Sequence, residues 1–286
     1  MASLQDLRSI HLEDAFWQGW REDLHTLFTK ASYLLETTPS SEGEVAEYLN
    51  QLIPQGFPKQ FVPQVTLPTG MAYEAFIYQQ HRIPTRDGLH DFFNGLCWQH
   101  FPKIKLHFNH LHQVQIERLG IEKRGTVRDR ITIIDENGFL IACPDALWEA
   151  LRQKAWIRAF VELRELWQES KVMVFGHALL EKLVFPYKAI TAHAIRVPFS
   201  VLAGATTVTL DESYSGETLN TPQVFSTEEI ARIDSYLSEF LSEEVLATAT
   251  KPYIPVQVFG IPGWSAEVQD LNFYQDSQVF REPNKN

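Results

Sequence analysis

Arg130-Ile-Thr-Ile-Ile-Asp-Glu-Asn-Gly-Phe-Leu-Ile-Ala142 is the stretch on which the fold class turns. Two β-branched runs flank Asn137-Gly138, a dipeptide that supplies the positive backbone angles of a tight turn, so the segment predicts a β-hairpin. Further along, Lys171-Val-Met-Val-Phe175 is short, apolar and β-branched, and predicts a buried strand. Most of the remaining sequence carries helical spacing. The reading is α+β: a helix-rich single globular unit with a small sheet built from hairpin 130–142 and strand 171–175.

The helical signal starts with Trp17, Trp20, Leu24, Leu27, Phe28, Ala31 and Leu35, which recur at three- and four-residue steps over 14–36. Ser41 and Glu44 then read as a capping box opening a helix to Leu52, and Pro54, Pro58, Pro63 and Pro68 punctuate an extended connector. A short helix to Gln80 leads to a turn at 83–88, where Asp87 is placed to cap a helix over 88–100 that Pro102 closes. Helices follow over 103–116, 145–169 and 177–184, then a long one capped by Ser226 and Glu229. Residues 205–210 suggest one more strand, and the tail from Lys251 reads as extended and turn-rich. These signals divide the chain into a helical N-terminal layer (1–66), an α+β core (67–200), and a helix with a C-terminal tail packed on that core (201–286), together one compact domain.

Size and composition set limits on function. A chain of 286 residues, 44% hydrophobic and 21% charged, buries a sizeable core and is not wholly disordered. Cys97 and Cys143 form neither a disulfide framework nor a zinc-finger pattern, which fits a reducing cytoplasm. No basic segment precedes an apolar run, and no apolar run reaches about 18 residues, so neither a signal peptide nor a membrane span is expected. A net charge of −11 disfavours nucleic acid as a partner. Charge is uneven, with nine Lys/Arg against five acids over 81–130 and nine acids against Arg232 alone over 211–250. Pairing of the two segments inside the fold is a plainer account than a ligand site. The sequence leaves the oligomeric state open.

Two short motifs carry the candidate chemistry. On a helix, His90, Asn94 and Trp98 fall in one row with Asp91 beside them, and the opposite side is apolar. A helix N-terminus keeps Asp91 ionised and disfavours a protonated His90, which suits a general base or a metal ligand. The plainer alternative is a capping histidine with a surface Asp. His177 and Glu181 are four apart, so they share one side of the helix that follows the strand at 171–175. That spacing is a loose pattern, and an intrahelical hydrogen bond explains it equally well.

If the two helix starts meet, His90, Asp91, His177 and Glu181 form a catalytic set. His90, His177, Glu181 and His193 would then offer ligands for a divalent metal as cofactor. Arg86, Asn94, Trp98 and Asp276 are the ligand-binding candidates, with Arg86 as a clamp for a carboxylate or phosphate. Asp276 and Arg281 would otherwise pin the tail by ion pairing. His100, His107, His110 and His112 are out of helical phase for a metal cluster and read as a solvated basic face. Asp135-Glu136 reads as hairpin-tip polarity, and Arg128 to Arg130 as the entry to a buried strand. GxSxG, GxGxxG and P-loop patterns do not occur. The expected activity is that of a small-molecule hydrolase or lyase, metal-assisted if those ligands converge. The alternative is a non-catalytic module that binds a metabolite or a protein.

A string of motifs also resembles an uncharacterised proteobacterial domain-of-unknown-function family. It comprises Tyr73-Glu74, Ile83-Pro-Thr-Arg86, Leu89-His-Asp-Phe-Phe-Asn94, Trp98, Phe101-Pro102, Lys105, Asn109, Arg128-Asp129, Asp135-Glu-Asn-Gly138, Phe175-Gly-His-Ala-Leu-Leu-Glu-Lys182 and Thr191-Ala-His193. Phe259-Gly-Ile-Pro-Gly-Trp264, Phe273-Tyr-Gln-Asp276 and Val279-Phe-Arg281 continue it to the tail, so the resemblance spans roughly residues 70–281. It implies a cytosolic bacterial protein and no known reaction. His90, Asp91, Asn94, His177, Glu181 and His193 fall within its motifs, whereas His107 and His110 do not. Gln275 stands where the family carries an acidic residue.

Overall fold

The apolar positions expected on one helix over 14–36, all buried except the half-buried Phe28, fall in three successive helical segments: a 3-10 stretch Ala15–Trp20, helix α1 (Arg21–Lys30) and a second 3-10 stretch Ser32–Leu35. The computed structural model describes residues 3–35, 42–203 and 220–282. Ser41 and the strand candidate at 205–210 lie outside the described residues. Helix α2 (Glu44–Leu52) packs on strand β1 (Gln60–Pro63), and helix α3 (Tyr73–Gln80) and strand β2 (Arg82–Thr85) come after it. β1 and β2 pair in parallel, so the proline-rich connector and the turn at 83–88 each contain a short strand.

Helix α4 (Leu89–His100) is next, and helix α5 (Pro102–Leu119) succeeds it. Pro102 does not only close α4. It occupies the first turn of α5, where its missing N–H costs no helical hydrogen bond. Asp87 does not cap α4 either. Its carboxylate accepts from the backbone N–H groups of Gly43 (2.7 Å) and Val45 (2.9 Å) and so caps α2 across the fold.

The hairpin at 130–142 is not formed. Residues Gly125–Asn137 are helix α6, and only Gly138–Ala142 is a strand, β3. Gly138 has an extended backbone (φ −66°, ψ 145°), so no positive-φ turn exists at Asn137-Gly138. Glycine is required there for space. A Cβ would lie 2.4 Å from the Ile134 carbonyl oxygen and 2.7 Å from the Phe175 ring. Val127, Ile131 and Ile134, at steps of four and three, are buried, and burial of that face overrides the β-branched propensity.

Helix α7 (Asp145–Arg152) is likewise shorter than the expected helix to 169. Lys154 takes a left-handed conformation (φ 55°), and a π-helical turn (Arg158–Glu162) and a 3-10 turn (Arg164–Trp167) follow. Strand β4 (Lys171–Val174), helix α8 (His177–Leu183), strand β5 (Thr191–Arg196) and the one-turn helix α9 (Phe199–Leu202) come next. Beyond 220 lie α10 (Thr227–Phe240), α11 (Glu243–Ala247), strand β6 (Ile254–Gln257) and α12 (Leu271–Tyr274). Ser226 and Glu229 form the predicted capping box of α10, and the long helix divides near Leu241. The expected extended tail thus contributes a strand and a helical turn.

The strands form a second sheet in the order β4-β3-β5-β6. β3 runs parallel to β5 and antiparallel to β4, with Gly138 opposite His193 and Phe139 opposite Val174. All five residues of β3 are buried, as a strand covered on both faces requires. The buried apolar cluster extends from Leu4 to Phe280 and includes Trp17, Trp20 and Phe93. Trp17 stacks on Phe93 (centroids 6.0 Å), and the Trp20 indole donates to the Val174 carbonyl at 3.0 Å. The chain is therefore α+β, with helix in excess. No helix of the described residues is long and apolar enough to cross a membrane.

Candidate functional site

Three helix ends meet where β3 begins and β4 ends: the start of α4, the end of α6 and the start of α8. β3 leaves α6 directly at Gly138, and β4 enters α8 through Phe175 and Gly176, whose N–H groups both donate to the Gly138 carbonyl (3.0 and 2.8 Å). Gly176 brings the two helices into backbone contact. A Cβ there would lie 2.5 Å from the Asn137 nitrogen and from the Glu136 carbonyl. This contact sets His177 against Asp135 and Glu136.

His90 and His177 face each other, Nε2 to Nε2, at 3.1 Å, with their rings nearly perpendicular. The other nitrogen of each ring has a carboxylate beside it. His90 Nδ1–H donates to Glu181 Oε2 at 3.0 Å, because a carboxylate can only accept. His177 Nδ1 lies 3.8 Å from Asp135 Oδ2, too far for a hydrogen bond, and is buried without a partner. Glu136 Oε2 is 3.5 Å from His177 Nε2. Among the described residues, His90, Glu136 and His177 form a group whose donor atoms all lie within 4.8 Å of one another.

Lys105 stands behind Asp135. Its ammonium donates to Asp135 Oδ1 (2.6 Å) and Asn94 Oδ1 (2.8 Å) and lies 5.4 Å from the Trp98 ring centroid. Burial raises the Asp135 carboxyl, but Lys105 and His177 outweigh it and hold the group below the usual carboxylate range. Burial pushes His177 down to about 3 even with Asp135 opposing. Burial and the neighbouring Asp135 push Glu136 up. His177 is thus a neutral imidazole with a lone pair on one nitrogen, which is the state a metal ligand needs.

The sequence candidates separate accordingly. His90, His177 and Glu181 come together, with Glu181 on the Nδ1 side of His90. Asp91 turns to Arg86, accepting from its backbone N–H (2.6 Å), Nε (3.0 Å) and Nη2 (2.8 Å), and so fixes the start of α4. Asn94 and Trp98 line a small hollow of about 20 Å³ with Tyr73, Lys105, His112 and Asp135, and neither His90 nor His177 lines it. His193 stands outside the histidine–glutamate group, its ring edge-on to Tyr253 at 5.0 Å. Asp276 accepts from Lys188 (3.0 Å) and from the Gln278 backbone (3.1 Å), contacts that pin the tail.

Of the basic histidines expected on a solvated face, only His110 is exposed. His100 pairs with Asp23, His107 donates to the Leu241 carbonyl and His112 is buried. Arg128 and Arg130 belong to a helix, not a strand, and donate to the carbonyls of Ile121 and Leu246. Asp135 and Glu136 leave the hairpin tip for the last turn of α6, and the sequence reading placed neither at the site. The signal for them was the helical phase of Val127, Ile131 and Ile134.

Residues 59–284 match the family described as "Protein of unknown function (DUF3025)", which covers most of the chain. The chain belongs to this family. No curated protein and no solved structure matches it. The family description assigns no reaction, so the chemistry has to be argued from the DUF3025 residues present here. Both imidazoles, Asp135, Glu136 and Glu181 lie inside the matched segment.

Proposed function

We propose that His90, His177 and Glu136 hold a divalent transition metal, and that the centre carries out hydrolysis or elimination on a small molecule. One observation carries this reading: two Nε2 atoms 3.1 Å apart, with Glu136 Oε2 converging on them and a carboxylate behind each Nδ1. Zinc–nitrogen bonds are about 2.0–2.1 Å, so two ligands of a tetrahedral ion lie about 3.3 Å apart. With Nδ1–H turned to Glu181, the His90 Nε2 carries a lone pair. If His177 also carries its proton on Nδ1, towards Asp135, two lone pairs oppose each other. If it carries the proton on Nε2, the lone pair on Nδ1 faces Asp135. A cation between the Nε2 atoms removes both conflicts. Glu181 then acts as the outer carboxylate that orients His90, and Asp135 stands 3.8 Å behind His177 as a counter-charge.

Three protein donors leave a coordination position open, as in catalytic sites and unlike closed structural ones. An ion held there supplies electrophilic polarisation of a carbonyl or phosphoryl oxygen. The imidazole and carboxylate donors suit zinc and its neighbours better than magnesium or calcium.

A second reading has its own support, because 3.1 Å is also an N–H···N hydrogen-bond length. A proton on His90 in place of the ion gives an imidazole pair for metal-free acid–base chemistry. Elemental analysis of protein purified without chelator separates the two. The metal reading expects about one equivalent in the native chain and none in a His90→Ala/His177→Ala variant. Equally negligible metal in both, with the native fold intact by circular dichroism, removes the ion and leaves the proton.

A further inference from the structure

We infer that the substrate of this centre carries an oxyanion, a carboxylate or phosphate group, gripped between Arg86 and Lys182. This rests on the metal reading above. The centre reaches solvent past His90, Glu136 and Glu181, whose side chains are 34%, 32% and 22% exposed, against 5% for His177. Two cations stand beside these carboxylates: Arg86, within reach of the Glu181 charge, and Lys182, bonded to Asn137 next to Glu136.

Arg86 precedes α4, and its Nε and Nη2 are locked onto Asp91 from behind, yet its side chain remains 65% exposed. The guanidinium is therefore fixed in orientation and still has an edge turned to water, the arrangement that binds a planar or tetrahedral oxyanion with little loss of side-chain freedom. It lies close enough to Glu181 for that charge to act on it. Lys182 follows Glu181 on α8. Its ammonium donates to the neutral Asn137 amide oxygen at 2.7 Å, next to Glu136. Among the described residues Lys182 makes no ion pair, so its charge is not consumed. Lys105, the other cation of the centre, is committed inward to Asp135 and Asn94.

The charge balance agrees. Asp91, Asp135, Glu136 and Glu181 oppose Arg86, Lys105 and Lys182, leaving the centre one negative charge in excess. A divalent ion converts that to one positive charge in excess. An anionic group is then drawn in and a cationic one repelled. The second cation is what a metal site alone would not require.

The test uses the full chain loaded with zinc, with inorganic phosphate as the probe, followed by isothermal titration calorimetry. Native protein is expected to bind phosphate, and Lys182→Gln to bind it about tenfold more weakly, the scale of one charge-assisted hydrogen bond. Zinc stoichiometry and thermal stability should be unchanged in Lys182→Gln, which touches only an exposed amide. Arg86→Gln should weaken phosphate further, with some loss of stability because Asp91 loses its partner. Zinc uptake without phosphate binding, or equal phosphate affinity in native protein and Lys182→Gln, overturns this inference and leaves the metal reading standing. Failure of the native chain to take up zinc overturns both.

Discussion

Replacing Gly176 by alanine adds one carbon atom and should dismantle the centre without changing any proposed ligand side chain. The backbone of Gly176 is extended (φ −73°, ψ 125°), so alanine can adopt it, and the whole effect is steric. The new Cβ would stand 2.5 Å from three backbone atoms of Glu136 and Asn137, whereas ordinary contact begins near 3.4 Å. About 0.9 Å must therefore open between α8 and α6. Neither side yields as a flexible side chain would, because both are backbone tied to the sheet at Gly138.

Overpacking of this kind costs about 1–3 kcal/mol, or a melting shift of about 2–4 °C per kcal/mol for a chain of this size. The effect on the ion should be larger. His177 lies on one side of the gap and Glu136 on the other, while metal–ligand distances tolerate about 0.2 Å. A displacement near 1 Å costs on the order of a hundredfold in a positioned site, so zinc affinity should fall by about that factor. Competition against a chromophoric chelator measures it. Gly88→Ala is the control, since a Cβ at Gly88 meets nothing within 4 Å although that glycine also precedes a site helix. Native zinc affinity in Gly176→Ala would refute the argument.

Other perturbations read separate parts of the arrangement. Glu181→Gln should weaken zinc binding by about 10–100-fold without abolishing it, measured by the same competition, because it removes the carboxylate behind His90 and no donor. Lys105→Met should destabilise by about 3–5 kcal/mol in urea unfolding, since it strips Asp135 of its buried partner. Metal-free protein should lose stability as pH falls. His177 is held down to about 3 when folded but titrates near 6.5 when unfolded, so below about pH 6.5 the unfolded chain takes up a proton that the folded chain refuses. The contribution is fully present above that pH and lost at about 1.4 kcal/mol per unit on the way down. His112 and His193 are shifted the same way. Urea midpoints at pH 7 and pH 5 should therefore converge in His177→Asn relative to native protein, and parallel shifts would count against a neutral buried imidazole.

The imidazole pair was legible in the sequence because each histidine opens a helix whose other side is plainly apolar. His90 and His177 required only that two correctly placed helices meet. Glu136 and Asp135 were not legible, for a specific reason. Asn137-Gly138 between β-branched residues is a strong local turn signal, and it outweighed the weaker helical phase of Val127, Ile131 and Ile134. The glycine answers instead to the Ile134 carbonyl four residues back and to Phe175, thirty-seven residues away, and no local pattern records the second contact. The same limit explains Asp87, whose carboxylate serves the helix that begins at Glu44 in place of its own neighbour. It also explains Lys105, which looked like one charge of a basic segment and is instead the buried counter-ion of Asp135.

The family match starts at residue 59, yet the protein does not start folding there. Trp17 covers Phe93 on the helix that carries His90, Trp20 satisfies the carbonyl of Val174 two residues before Gly176, and Asp23 holds His100. A polypeptide begun at residue 59 would bare aromatic rings on the inner side of the very helices that bring the histidines together. The edge of sequence similarity is thus not a place where the chain can be cut.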